Sequence, residues 1–80
     1  MPATPITHPA QLSQILKGRR KKLGFTQQQL AAKLALTQNR LSQIEGDPKS
    51  LALERLLELL NVLGLEMRIE DRPARAKSEW

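Results

Sequence analysis

Residues 27–46 read QQQLAAKLALTQNRLSQIEG, and their pattern decides the fold. Thr26, just before them, is a candidate N-cap whose hydroxyl can satisfy the free amides of a first helical turn. Leu30, Ala31 and Leu34 then fall on one face of a helix. Ala31 is small where a second helix has to cross closely. The chain turns at Ala35 and Leu36, and Thr37 supplies a second N-cap. The helix that follows has only Leu41 and Ile44 as apolar positions, which leaves Gln38, Asn39, Arg40, Ser42 and Gln43 to face outward. A helix that gives so little of itself to a core has surface to present elsewhere.

Two capped helices, a small residue at their crossing, a tight turn and a polar second helix together make a helix-turn-helix motif. Gln and Asn form paired hydrogen bonds to the adenine edge in the major groove, and Arg suits guanine or phosphate, so the outward residues predict DNA as the ligand. A hydrophilic surface helix on any small helical protein accounts for the polarity, but not for the caps, the small residue and the turn as well. Ala35 is the one departure. The turn calls for a left-handed backbone, which a non-glycine residue adopts at a cost of about 1 kcal/mol.

Eighty residues suit one domain, whose modest core gains from dimerisation. The lack of cysteine excludes disulfides and thiolate zinc sites. No apolar run approaches the roughly 18 residues of a membrane span, and the opening MPATPITHPA lacks the basic and apolar regions of a signal peptide. The expected location is the cytoplasm, on the nucleoid when DNA is bound. Charge is uneven: residues 1–49 hold eight Lys or Arg against two acids, +6, whereas residues 50–80 hold five against six, −1. The basic half contains the motif, as phosphate neutralisation requires. Lys17, Arg19, Arg20, Lys21 and Lys22 supply most of that charge, and they also complement the C-terminal dipole of a first helix.

Enzymatic readings find no support. His8 is the single histidine and sits beside Pro9, where it is exposed or caps a helix. Glu54 and Glu58 lie one helical turn apart but have no third ligand for a metal, and no glycine-rich phosphate loop or nucleophile motif occurs. No catalytic residue, metal or cofactor is expected.

Residues 1–8 read as a disordered arm, with Pro9 opening the first helix. Leu12, Ile15, Leu16 and Leu23 form its core stripe, Gly24 and Phe25 close it, and Phe25 is expected between helices. After the motif, Gly46, Asp47 and Pro48 make a turn and Ser50 caps a last helix to about Leu63. Leu53, Leu56, Leu57, Leu60 and Leu63 share a stripe there, while Leu59 and Val62 extend the apolar surface beyond it. Such a surplus implies a neighbour. Past Gly64, the run Leu65, Glu66, Met67, Arg68, Ile69, Glu70 alternates apolar and charged like a half-buried strand, with no second strand in the chain. The simplest partner is the same strand of a second subunit, in a two-stranded antiparallel ribbon. Leu59, Val62, Leu65, Met67 and Ile69 are therefore the expected dimer contacts, and residues 9–70 the DNA-binding and dimerisation domain. Residues 71–80 read as a disordered tail, in which Trp80 is an expected anchor for a partner protein.

With these residues in view, the chain from about Leu12 to Leu63 resembles the Cro/C1-type (Xre-like) helix-turn-helix family, on Arg20, FTQQQLAAKL, TQNRLSQIEGD and SLALERLLELLNVLG. The resemblance implies an all-α, lambda-repressor-like bundle of four to five helices with a short C-terminal strand in an intermolecular sheet. It implies that Arg20 pairs with Glu45 as a structural contact and that Gln27 contacts a phosphate. Thr37, Gln38, Asn39, Ser42 and Gln43 are placed at base edges or nearby phosphates, with Arg40 in the same helix and Lys49 as a further phosphate contact. A narrower resemblance, on HPAQLSQILKGRR, LGLEMRIED and the basic tail ending in EW, is to the HipB-type antitoxins. It implies a homodimer that binds palindromic operators in double-stranded DNA, represses its own operon and neutralises a HipA-type serine/threonine kinase toxin. The alternative is a stand-alone phage-type or metabolic repressor, or, in another class, a protein-interaction module. Asn39, Arg40 and Ala35 mean that the operator sequence does not carry over.

Overall fold

A computed structural model describes residues 4–72 as four α-helices: α1 Pro9–Lys22, α2 Gln27–Lys33, α3 Gln38–Gly46 and α4 Leu53–Val62, with a one-turn 3-10 helix Pro48–Ser50 before α4. Trp80, the tail beyond Arg72 and the first three residues of the arm lie outside the described residues.

Each of the first three helices begins on a side-chain cap. His8 precedes α1, where its Nδ1 accepts from the Ala10 amide at 3.1 Å while Gln11 Oε1 accepts from the His8 amide at 3.0 Å. Thr26 and Gln29 form the same reciprocal box before α2, at 3.0 and 2.9 Å. Thr37 Oγ1 accepts from the Arg40 amide at 3.1 Å before α3. Ser50 does not cap the last helix as expected. Asp47 accepts from the Lys49 amide and opens the 3-10 turn, which takes up Ser50, so α4 begins after Ala52 with no side-chain cap.

The ends of α1, α2 and α4 share one geometry. In each, the residue after the C-cap is left-handed: Gly24 at φ 81°, Ala35 at φ 56° and Gly64 at φ 69°. The amides of Phe25, Leu36 and Leu65 reach back to the carbonyls of Arg20, Ala31 and Leu60, which closes three Schellman motifs. Two use the residue best suited to the position. The third, the turn of the helix-turn-helix, carries alanine in a conformation that its Cβ disfavours.

Leu16, Leu30, Ala31, Leu34, Leu41, Ile44, Leu59, Leu60 and Leu63 form one buried core, with Leu12, Phe25, Leu36, Leu51, Leu56, Val62 and Leu65 packed against it. Removal of each large side chain from water contributes about 1.5–3 kcal/mol, which favours this arrangement over any that leaves the motif's apolar positions exposed. Two expectations are corrected here. Leu23 is the exposed C-cap of α1 and no part of its stripe. The core face of α4 is rotated toward Leu59, which is 1% exposed, whereas Leu53 and Leu57 are 62% and 43% exposed. Leu59 therefore has no surface to give a second subunit, and Leu53 and Leu57 do. Residues 65–70 carry no regular secondary structure in the single chain, and the described residues contain no strand for them to join.

Candidate nucleic-acid interface

Helix α3 buries Leu41, Ile44 and Glu45 and turns its other side to solvent. Asn39, Ser42 and Gln43, spaced i, i+3 and i+4, make a single exposed line opposite the buried face, flanked by exposed Gln38 on one side and half-buried Arg40 on the other. Arg40 Nη1 lies 3.4 Å from Gln43 Oε1, a weak contact that leaves both side chains able to exchange it for a base or phosphate. Thr37 is exposed, and its hydroxyl spends only its acceptor on the Arg40 amide, so its proton remains free to donate. Lys49 is exposed on the 3-10 turn that follows α3. The residues of this helix that the sequence assigns to DNA, Gln38, Asn39, Arg40, Ser42 and Gln43, thus lie outside its buried face.

Arg20 on α1 and Glu45 on α3 hold the helix in place. Arg20 Nε donates to Glu45 Oε2 at 2.7 Å and Nη2 to Oε1 at 3.2 Å, a two-pronged ion pair at 9% and 1% residue exposure. Arg20 Nη1 also donates to the Phe25 carbonyl at 2.9 Å, tying in the loop between α1 and α2. Ser13 Oγ donates to the Glu45 backbone carbonyl, and Gln27 Nε2 to Glu45 Oε1 at 3.1 Å. Helices α1 and α2 therefore converge on one residue at the C-terminal end of α3. Removing one member of such a buried pair costs about 3–5 kcal/mol because the other is left charged without water.

Two of the five cations near the end of α1 turn inward. Arg20 is committed to Glu45, and Arg19 Nε donates to the Leu63 carbonyl at 2.8 Å, capping the end of α4. Lys17, Lys21 and Lys22 keep their charge toward solvent or at its edge. Lys33 lies over the Phe25 ring, 5.4 Å from its centroid. Arg55 on α4 donates to the Leu34 carbonyl at 3.2 Å, bracing α4 against the turn between α2 and α3. The sequence reading missed these roles of Ser13, Arg19 and Arg55, and the bond from Gln27 to Glu45. Each joins residues at least 18 positions apart, so no local pattern announces them.

The comparisons agree with this geometry. A family model described as helix-turn-helix matches residues 16–69. Antitoxin HipB of Escherichia coli K12 is 33% identical over 66 residues, which cover 82% of this chain and 75% of the relative. Antitoxin HipB of E. coli O6:H1 strain CFT073 is equally identical, with 70% of its length covered. Among solved structures, a chain of the HipA-HipB-O2-O3 complex superposes with a TM-score of 0.79 at 31% identity, over 89% of this chain and all of that one. A chain of the HipB-O4 20mer complex does so at 0.78 over the same shares. The capped helices, the left-handed turn, the buried ion pair and these matches agree: the chain belongs to the helix-turn-helix family, in the branch that includes the HipB antitoxins.

Proposed function

We propose that this protein is a DNA-binding repressor and antitoxin, a homodimer that binds a palindromic operator of its own operon and holds a HipA-type serine/threonine kinase toxin inactive. The observation that carries the DNA half is the exposed line Asn39, Ser42 and Gln43 on a helix fixed from behind by the Arg20–Glu45 pair. Gln38, Asn39 and Ser42 read base edges, with Arg40 and Gln43 beside them. Gln27, Thr37, Lys49 and the lysines at the end of α1 contact phosphates and set the register. The antitoxin half rests on kinship: the relatives are HipB antitoxins, and one solved structure is of a HipA-HipB-O2-O3 complex. Trp80, in the tail, is the proposed anchor on the toxin.

The apolar surface that one chain leaves open supports the reading of two copies. Leu53, Leu57, Met67 and Ile69 are all exposed, at 62%, 43%, 45% and 95%, and Val62 and Leu65 are half-buried beside them. A second copy covers this surface and supplies the strand that residues 65–70 lack, so that two recognition helices meet major grooves about one turn of DNA, or a small multiple, apart. The work is binding rather than catalysis, and no helix among the described residues is long and apolar enough to cross a membrane.

A tagged pull-down from the native cells tests the partner. Recovery of a stoichiometric protein several times larger than this chain supports the antitoxin, and recovery of the homodimer alone leaves a stand-alone repressor. Titration of duplex binding with salt tests the DNA half. A dimer that neutralises roughly 6–10 phosphates loses about a thousandfold in affinity or more between about 50 and 200 mM salt. A flat response defeats the electrostatic argument and leaves a protein-interaction module.

A further inference from the structure

We infer that Glu45 is a positioning residue for DNA binding, acting through the side-chain amide of Gln27; the inference rests on the reading of Gln27 as a phosphate contact. The geometry is specific. Gln27 is the first residue of α2 and is half-buried, and its Nε2 donates to Glu45 Oε1 at 3.1 Å. That oxygen also accepts from Arg20 Nη2 at 3.2 Å, while Oε2 accepts from Arg20 Nε at 2.7 Å.

A glutamine amide in solution rotates freely and presents its oxygen as readily as its nitrogen. A phosphate accepts only from the nitrogen, and an amide turned the wrong way sets oxygen against oxygen. A carboxylate accepts only, so Glu45 fixes the amide with its nitrogen inward on that side. One N–H is spent on Glu45, and the second stays on the same nitrogen as a donor for a DNA oxygen. Arg20 neutralises the carboxylate, so the orientation is obtained without leaving a free negative charge beside the DNA backbone. The same ion pair that holds α3 therefore also selects the binding rotamer of a residue on α2.

The test is a double-variant cycle on a 30-bp duplex of arbitrary sequence at low salt, because a phosphate contact acts on every sequence alike. Gln27→Ala is expected to weaken binding roughly tenfold, Glu45→Gln several-fold, and the two together no more than Gln27→Ala alone. Circular dichroism checks folding of each variant, and Ser13→Ala serves as control. The Ser13 hydroxyl bonds to the Glu45 backbone carbonyl and not to the carboxylate that holds Gln27, so its loss lowers stability but leaves the affinity of the folded protein unchanged. Independent losses that multiply in the double variant overturn the inference. Should Glu45→Gln fail to fold, nuclear magnetic resonance of the wild-type side-chain amides decides. Gln27 is expected to be ordered on the nanosecond scale before DNA is added, and a Gln27 amide as mobile as that of exposed Gln28 overturns the inference. A wild-type protein that binds no duplex at all instead removes the DNA reading on which the inference depends.

Discussion

Replacing Ala35 by glycine should stabilise this protein, although the same exchange in a helix does the opposite. Ala35 stands at φ 56°, at the position that Gly24 and Gly64 occupy in the other two Schellman motifs. A left-handed residue with a Cβ costs about 1–2 kcal/mol. Glycine removes that cost but gives back roughly 0.5–1 kcal/mol through the greater freedom of its unfolded chain. The expected net gain is therefore about 0.7 kcal/mol, the middle of a range from about 0 to 1.5 kcal/mol, and a gain of 1 kcal/mol corresponds to about 4–8 °C in Tm for a domain of this size. The assay is thermal and urea denaturation of both proteins at one fixed concentration, because the proposed dimer would make Tm depend on concentration. Ala32→Gly is the matched control. Ala32 is exposed within α2, where glycine costs about 1 kcal/mol, so the two substitutions should move Tm in opposite directions. A fall in stability for both refutes the left-handed assignment at the turn.

Further outcomes follow from the same contacts. Arg20→Met or Glu45→Gln alone should lower stability by about 3–5 kcal/mol, and apolar replacement of both should recover part of that loss, as chemical denaturation will read. Gly64→Ala should destabilise more than Gly24→Ala. Both force a left-handed alanine, but at Gly64 the added Cβ also comes within 3.2 Å of Arg19 Nη2, whereas nothing lies within 4 Å at Gly24. Gln38→Ala should cost about 1–3 kcal/mol on the cognate operator and little on random DNA, measured by fluorescence anisotropy; equal losses make it a backbone contact. Met67→Asp should dissociate the proposed dimer, and an unchanged mass by sedimentation counts against a ribbon through residues 65–70.

The helix-turn-helix was legible because its signals are local. Thr26, Thr37 and the apolar spacing of Leu30, Leu34, Leu41 and Ile44 each act within a turn or two of chain, and the structure has the caps and the core where those residues imply them. Resemblance, rather than spacing, supplied the Arg20–Glu45 pair, since nothing within α1 or α3 alone announces it. The last helix was harder to read. Six leucines between residues 53 and 63 leave more than one face apolar enough to bury, and only packing on α1–α3 selects the face of Leu59, Leu60 and Leu63 over that of Leu53 and Leu57. The bonds from Arg19, Ser13 and Arg55 to backbone carbonyls were hidden for a related reason. A carbonyl is the same at every residue, so its partner is determined by geometry alone.

The placement of Glu45 puts the strongest side-chain anchor of α3 at the end farthest from Gln38. The helix is clamped at its C-terminal end by side-chain bonds to Glu45, packed along one side by Leu41 and Ile44, and joined at its other end to the turn that Leu36 packs on the core, with Gln38 and Asn39 exposed. At 1.5 Å of rise per residue, Gln38 stands about 10 Å from the clamp, so a tilt of about 5° at Glu45 moves the end proposed to read bases by nearly 1 Å. Hydrogen bonds to base edges tolerate errors of about 0.5 Å. Substitutions that slacken the clamp can thus abolish sequence discrimination while general attraction to phosphate survives. Variants of this kind would still be found on DNA, with their preference for the operator lost.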